Sequence, residues 1–461
     1  MPVSRPNSRR DFLKAAGLGG VVFGAAAVPA LGQVTRGSAD NAPRRVAKNV
    51  IFMVSDGMGM GTLAAAVDFQ KAILGRESQW LGLYRDLPVV RSLCETHSAT
   101  GFVTDSAAAA SCWGIGERVQ NGALNITPDG RKPVTLLQKM KAARKRTGLV
   151  TTATATHATP AGFVTTVGSR ENQREVAFQY LERGVDVVLG GGADYFGDTL
   201  VAAYQKVGYA HVTDRAQLLA HRGQGPLLGL FAKKYVPMEV DRLHRPALKA
   251  STPTLAEMTQ AALESLHGGS EGFFLMVEGG RIDHGAHAND AIGAILDQIA
   301  FDDAIATVRR FVAVNPDTLL VVTTDHGTAG LQVNGVGTEE FDSKLPSYNE
   351  TNPTFLRLAK FNRSLEQIKL ESKDFKQPKQ FQELLVESTG LAFKPADLAK
   401  VTNLKTLTEA LPKYTSVGFT SQNHTGEMVE FCAHGPGASL FPPFLRNDQV
   451  HAQLLRATGL A

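Results

Sequence analysis

Carboxylates, imidazoles and one serine recur in this chain at positions where they could act together on a phosphate ester. The run TDSAAAA (104–110) sets Ser106 beside Asp105 and ahead of an alanine-rich stretch. Elsewhere stand SDGMG (55–59), THATP (156–160), VEGGRIDHGAH (277–287), TTDHG (323–327) and NHTG (423–426). Hard oxygens and imidazoles in this number can hold more than one divalent ion. A serine hydroxyl is a weak nucleophile until a base or a metal removes its proton, so Ser106 among these groups suggests a metal-activated alkoxide. The chemistry expected is hydrolysis of a phosphate ester.

Spacing refines this picture. Asp56 has two oxygens and can bridge two cations. The segment DGMGMG (56–61) is not a dinucleotide loop, because Thr62 stands where its last glycine would be. Its glycines instead let the backbone pass close to a cluster of charges. Asp283 and His287 are four residues apart, which on a helix puts both on one face, able to grip one ion, and turns His284 elsewhere. Asp325 and His326 are adjacent and could share an ion only in a loop, which Gly327 allows. Ser106 opens a helix-forming run, where the helix dipole and free N–H groups favour an anion. The plain alternative for Ser106 is a helix cap.

The elements that must hold these groups are short apolar runs at Val50–Val54, Gly148–Thr152, Val185–Leu189, Phe273–Val277 and Thr318–Thr323. Helical patterns lie between them, for example over Val134–Arg146 and Asn289–Phe311. That alternation predicts an α/β fold, a doubly wound and mostly parallel central sheet with helices on both faces. Asp56, Glu278, Asp283, Asp325 and His326 then follow the carboxyl ends of strands, where such sheets bind ligands. Residues 331–420 break the rhythm and read as an insertion or cap, with helical pieces near Phe355–Leu370 and Phe381–Val386. The final strand is expected around Met428–Ala433. The cluster KAARKR (141–146) reads as the solvated face of a helix.

The formal charge is +4, but residues 1–30 carry Arg5, Arg9, Arg10 and Lys14 against Asp11, leaving about +1 for the rest. A near-neutral body argues against nucleic-acid binding. The three cysteines, Cys94, Cys112 and Cys432, cannot form a disulfide framework. They read as free buried thiols, with a Cys94–Cys112 pair as the alternative. SRRDFLK (8–14) followed by the small, apolar stretch Ala15–Ala30 resembles a twin-arginine signal peptide over 1–30, with a polar leader over 31–47. It implies recognition by the twin-arginine export machinery and a periplasmic or secreted protein. No other stretch reaches the ~20 apolar residues of a membrane span.

Taken together, these motifs resemble the alkaline phosphatase family over about Asn49 to Ala438, and residues 48–461 are expected to form its catalytic domain. By that resemblance Ser106 is the nucleophile. One zinc is held by Asp283, His287 and His424, and a second by Asp56, Asp325, His326 and the Ser106 Oγ. A magnesium is shared by Asp56, Thr159 and Glu278. The resemblance makes Arg170, in VGSR (167–170), the phosphate clamp, with Asp105 beside it at the substrate. His157 and His284, which replace an aspartate and a lysine of other members, are expected behind the ligands. It implies small phosphate monoesters as substrates, a phosphoserine intermediate and a homodimer. The alternatives are a phosphodiesterase or sulfatase of the same superfamily, or a non-catalytic phosphate- or metal-binding protein. Residues 106–110 lack the C/S-x-P-x-R pattern of sulfatases.

Overall fold

The computed structural model describes residues 46–221, 225–335 and 351–461. The expected signal peptide and nearly all of the leader lie outside them. The sheet is built from β1 (Asn49–Val54), β2 (Val89–Glu95), β3 (Arg146–Thr154), β4 (Val187–Gly191), β5 (Ala210–Val212), β6 (Leu227–Leu230), β7 (Phe273–Glu278) and β8 (Thr318–Thr323). Two short hairpin pieces follow, β9 (Gly327–Thr328) and β10 (Gln332–Val333), paired with β12 (His424–Thr425) and β11 (Val417–Gly418) respectively. Then β13 (Val429–His434) and β14 (Phe444–Arg446) complete the sheet.

An apolar run without polar interruptions suits a strand buried on both faces. In β1 every residue is buried. Val50, Phe52 and Val54 point into one core with Phe274, Met276, Leu319 and Val321. Ile51 and Met53 point into the other, with Leu275, Val277, Leu320 and Val322. The helix Ser106–Ile115 covers the first core through Ala107, Ala110 and Trp113. The helices Leu255–Leu266 and Ala291–Val314 cover the second.

The ten strands run in the order β14-β2-β13-β8-β1-β7-β3-β4-β6-β5. All neighbouring pairs are parallel except those of β13, which runs against β2 and β8. This is the doubly wound, mostly parallel sheet expected from the sequence. Register decides where the chemistry lies. Val54 is level with Glu278 on one side and Thr323 on the other, and Thr151 of β3 is level with Glu278. The strands β8, β1 and β7 therefore finish together, β3 runs on past them to Thr154, and the residues at and beyond these ends meet at one edge.

The structure corrects several expectations. The helix predicted over Val134–Arg146 spans only Leu136–Ala142, boxed at its start by Thr135 and Gln138. It cannot continue, because Arg144 takes a positive φ of 58° and Arg146 already begins β3. For the same reason KAARKR is not a solvated helix face. Lys145 is buried and its Nζ donates to the carbonyls of Lys48 and Glu271, while Lys141 pairs with Asp186. The strand near Met428–Ala433 is not the last, since β14 adds to the edge beyond β2. Sequence reading also missed β2, β5 and β6. The three cysteines are free and buried.

β10 and β11 pair at the root of the 331–420 segment, whose described part is helical. Phe355, Leu358, Phe361, Leu365, Ile368, Phe381 and Leu385 form a core of their own against Phe69, Ile292 and Ile295. The expected helical piece at Phe355–Leu370 is broken, because Ser364 caps a new helix, Leu365–Ser372, by accepting from the Gln367 N–H. Ser364 is fully buried, and its hydroxyl donates to Asp241 Oδ2 at 2.6 Å. Ser364→Ala removes a cap and leaves a buried carboxylate short of a donor. It should cost about 1–3 kcal/mol, read as a lower denaturant midpoint, with faster proteolysis inside the insertion. An unchanged midpoint would show that the insertion does not dock through this contact.

Candidate active site

Beyond β1 the chain turns at Asp56-Gly57 with a Gly57 φ of +71°. A Cβ here would stand 2.6 Å from Asp283 Oδ1 and 2.7 Å from Thr328 Oγ1, so only glycine lets the turn pass. The Gly57 N–H donates to Asp325 Oδ1 at 3.0 Å, tying the turn after β1 to the loop after β8.

Three groups of ligand atoms gather along this edge: Asp283, His287 and His424; Asp56, Asp325 and His326; and Asp56, His157 and Glu278. In the first, Asp283 and His287 share one face of the helix Arg281–His287, with His287 Nε2 3.4 Å from Asp283 Oδ2. His424 is brought in by the pairing of β12 with β9, and its Nε2 lies 3.6 Å from Asp283 Oδ1. His287 Nδ1 donates to the Gln422 carbonyl at 2.6 Å, and His424 Nδ1 to the Thr104 carbonyl at 2.8 Å. Those bonds turn both Nε2 lone pairs inward, where they stand 3.0 Å apart. Two lone pairs so placed require a cation between or beside them. Burial, and then the neighbouring His326, push the His424 pKa down to about 4, which opposes a proton on its ring.

In the second group, His326 Nε2 is 3.1 Å from Asp325 Oδ2 and 3.9 Å from Asp56 Oδ1. Asp56 Oδ1 and Asp325 Oδ2 are buried and accept no hydrogen bond. An orphaned buried carboxylate oxygen is costly, and a bound cation is the fitting partner for it. Burial, and then the charges of Asp325, Asp283 and Glu278, raise the Asp56 pKa well above the usual carboxylate range. The other oxygen, Asp56 Oδ2, faces the third group: Thr159 Oγ1 donates to it at 3.3 Å and His157 Nδ1 is 3.7 Å away. His157 Nδ1 also lies 3.3 Å from Glu278 Oε1. The resemblance set His157 behind the ligands, but its ring nitrogen can itself reach an ion held by Asp56 and Glu278. His284 does lie outside all three groups, with Nδ1 accepting from Arg281 Nη1 at 2.7 Å.

Ser106 is the first residue of the helix Ser106–Ile115 and is buried. It is not the cap. Asp105 caps the helix, its Oδ1 accepting from the Ala108 N–H at 2.9 Å. The Ser106 hydroxyl stands 3.3 Å from His326 Nε2, at the edge of the second group. Asp105 Oδ2 accepts from Arg170 Nη1 at 3.1 Å, and Arg170 Nη2 lies 3.0 Å from His157 Nε2. A cavity of ≈ 400 Å³ opens over these groups, lined by Ser106, His157, Arg170, Tyr235, Asp283, His284, His287 and His424. Asp56, Thr159, Glu278, Asp325 and His326 lie at its floor or behind it, all buried.

Two residues of this neighbourhood were not anticipated. Thr328 Oγ1 donates to Asp283 Oδ1 at 2.6 Å and lies 3.3 Å from His326 Nδ1, so it touches two of the groups. Its place two residues after His326 was the available signal. Tyr235 packs against His284 at a tilt, with ring centroids 4.4 Å apart, and nothing in its local sequence marks it.

The alkaline phosphatase family model matches residues 47–460. The chain is 29% identical to alkaline phosphatase 3 of Bacillus subtilis over 433 residues, covering 89% of this chain and 88% of that one. Its structure is similar to the alkaline phosphatase of Thermus thermophilus, with a TM-score of 0.82, 31% identity and coverage of 95% and 96%. It is also similar to a cold-active alkaline phosphatase from a psychrophilic Shewanella species, with a TM-score of 0.75, 32% identity and coverage of 90% and 100%. The chain thus belongs to the metal-dependent alkaline phosphatase family, and the edge that gathers these carboxylates and imidazoles around a buried serine is the candidate site for its phosphomonoesterase activity.

Proposed function

We propose that the chain hydrolyses small phosphate monoesters through a phosphoserine on Ser106, at a centre that takes two zinc ions and one magnesium ion. The observation that carries this reading is the Ser106 hydroxyl, free of any capping role and 3.3 Å from His326, beside two orphaned carboxylate oxygens. Asp283, His287 and His424 would hold one zinc, since two inward imidazole nitrogens suit that ion. Asp56, Asp325, His326 and the Ser106 Oγ would hold the other. The hard oxygens of Asp56, Thr159 and Glu278 suit magnesium, with His157 in reach. When bound, the ions supply acidity to the serine hydroxyl and to a water, and neutralise charge on the entering and departing oxygens.

The chain's own groups do the rest. The helix that begins at Ser106 puts its positive end behind the incoming phosphate. Arg170, held by Asp105 and His157, keeps one N–H on each Nη for the outer phosphate oxygens, a bidentate grip that lysine lacks. Ser106 Oγ attacks phosphorus, the alcohol leaves, and water then attacks the phosphoserine; two inversions retain the configuration at phosphorus. The twin-arginine sequence supports export to the periplasm or beyond. Among the described residues no helix is long and apolar enough to cross a membrane. A homodimer is part of the same reading, by family resemblance.

Ser106→Ala should abolish turnover of a chromogenic monoester while metal content and phosphate binding stay close to wild type. Wild-type turnover in the purified variant would sink the nucleophile assignment.

Asp325→Ala and His424→Ala should each lose one zinc, measured by elemental analysis of the purified protein, with little activity left in either. Unchanged zinc content in both would overturn the ligand assignment.

Arg170→Ala should weaken inorganic phosphate binding by about 1.5–3 kcal/mol and slow monoesters more than diesters, because a diester has one fewer free oxygen for the guanidinium. Retained phosphate affinity and monoester preference would make Arg170 a bystander.

A further inference from the structure

Thr328 is buried between the group of Asp283, His287 and His424 and the group of Asp56, Asp325 and His326. Backbone pairing puts it there. Thr328 in β9 lies level with His424 in β12, so the strand pair that delivers His424 delivers this hydroxyl as well. The Gly57 turn leaves room for it, since a Cβ at Gly57 would stand 2.7 Å from Thr328 Oγ1.

The hydroxyl has one proton to give, and its two neighbours decide where that proton goes. Asp283 Oδ1, at 2.6 Å, belongs to a carboxylate, which when ionised only accepts. The proton therefore lies on the line to Asp283. Towards His326 Nδ1, at 3.3 Å, Thr328 Oγ1 then has only a lone pair to offer. So Nδ1 carries the ring proton, and the Nε2 lone pair of His326 faces Asp56, Asp325 and the Ser106 hydroxyl. A lone pair turned towards two carboxylates is an arrangement that a cation completes.

The two bonds run in one direction, from His326 through Thr328 to Asp283, and each strengthens the other. Donation at Nδ1 also makes Nε2 a more basic ligand. At the far end the hydroxyl holds Asp283 with Oδ1 3.6 Å from His424 Nε2 and Oδ2 3.4 Å from His287 Nε2.

We propose that Thr328 is a positioning residue for both zinc ions. One hydroxyl fixes the tautomer of His326 in one group and the orientation of Asp283 in the other. The inference rests on the reading of these residues as zinc ligands.

Valine keeps the shape of threonine without its hydroxyl, and serine keeps the hydroxyl without the methyl. Zinc affinity of the full chain is measured by competition with a chelator in two backgrounds. D325A reports on the Asp283 group, and H424A reports on the Asp325 group. In each, T328V should weaken the remaining zinc by about ten- to a hundredfold, and T328S should restore the affinity. T328A, which also lacks the hydroxyl, serves the same comparison where T328V does not fold. A loss in one background only, in neither, or equally in T328S would overturn the proposal.

Should D325A and H424A each keep both zinc ions, the ligand reading itself fails, and the ring proton of His326 then decides. Its Nδ1–H is followed in the metal-loaded protein labelled with 15N-histidine and is identified by its loss in H326Q. It should exchange slowly with solvent in the wild type and T328S, and fast in T328V. Equal exchange in all three proteins, or a wild-type Nδ1 without a proton, would overturn the role of Thr328.

Discussion

Four carboxylates, Asp56, Glu278, Asp283 and Asp325, are buried at one edge of the sheet, and the rest of the site follows from that fact. Among the described residues none of them forms an ion pair with lysine or arginine; their partners are His157, His287, His326 and His424. Two like charges ~4 Å apart repel by ~4 kcal/mol at an effective dielectric near 20, so the cluster cannot stay fully ionised without added positive charge. Protons on imidazoles can supply some of it. The bonds from His287 Nδ1 and His424 Nδ1 to carbonyls oppose that solution by facing two lone pairs inward. Metal ions resolve both conflicts together, which accords with a metal-dependent family.

Such a cluster can be tolerated because the fold around it is over-determined. The flush ends of β8, β1 and β7 fix where Asp325, Asp56 and Glu278 emerge, with Thr151 of β3 level with Glu278. Side-chain position is then set by short-range devices: the Gly57 turn, the Thr151 hydroxyl on Glu278, and Thr328 between Asp283 and His326. The strands supply the location to within a residue, and the hydroxyls and the glycine supply the remaining fraction of an ångström. Ser106 reaches the edge from a different direction, on a helix whose alanines let it lie flat in the core.

Much of this was legible in the sequence, for a physical reason. Central parallel strands are apolar on both faces, so β1, β7 and β8 announce themselves as runs such as Val50–Val54, and their trailing acids are easy to place. Peripheral strands carry no such mark. β2 alternates between buried and exposed residues, and β5 and β6 have only three and four residues. KAARKR misled because charge patterning cannot show that Arg144 turns left-handed and that Lys145 finds backbone carbonyls inside the protein. At the site, residues with ligand chemistry could be named from their motifs. Tyr235 could not, since its role arises only where its ring meets His284 across a long sequence separation.

Among the contacts that couple the insertion to this edge is a buried arginine. Arg281 opens the helix that carries Asp283 and His287, and only 1% of it is exposed. Its guanidinium donates to Glu366 on the insertion helix Leu365–Ser372 and to His284 Nδ1, and it lies 5.1 Å from the centroid of Tyr235. A buried guanidinium deprived of its carboxylate would be strongly unfavourable, so the helix that carries Asp283 and His287 and the insertion helix are held in one arrangement. Any change in the insertion that moves Glu366 therefore acts on the helix that carries Asp283 and His287.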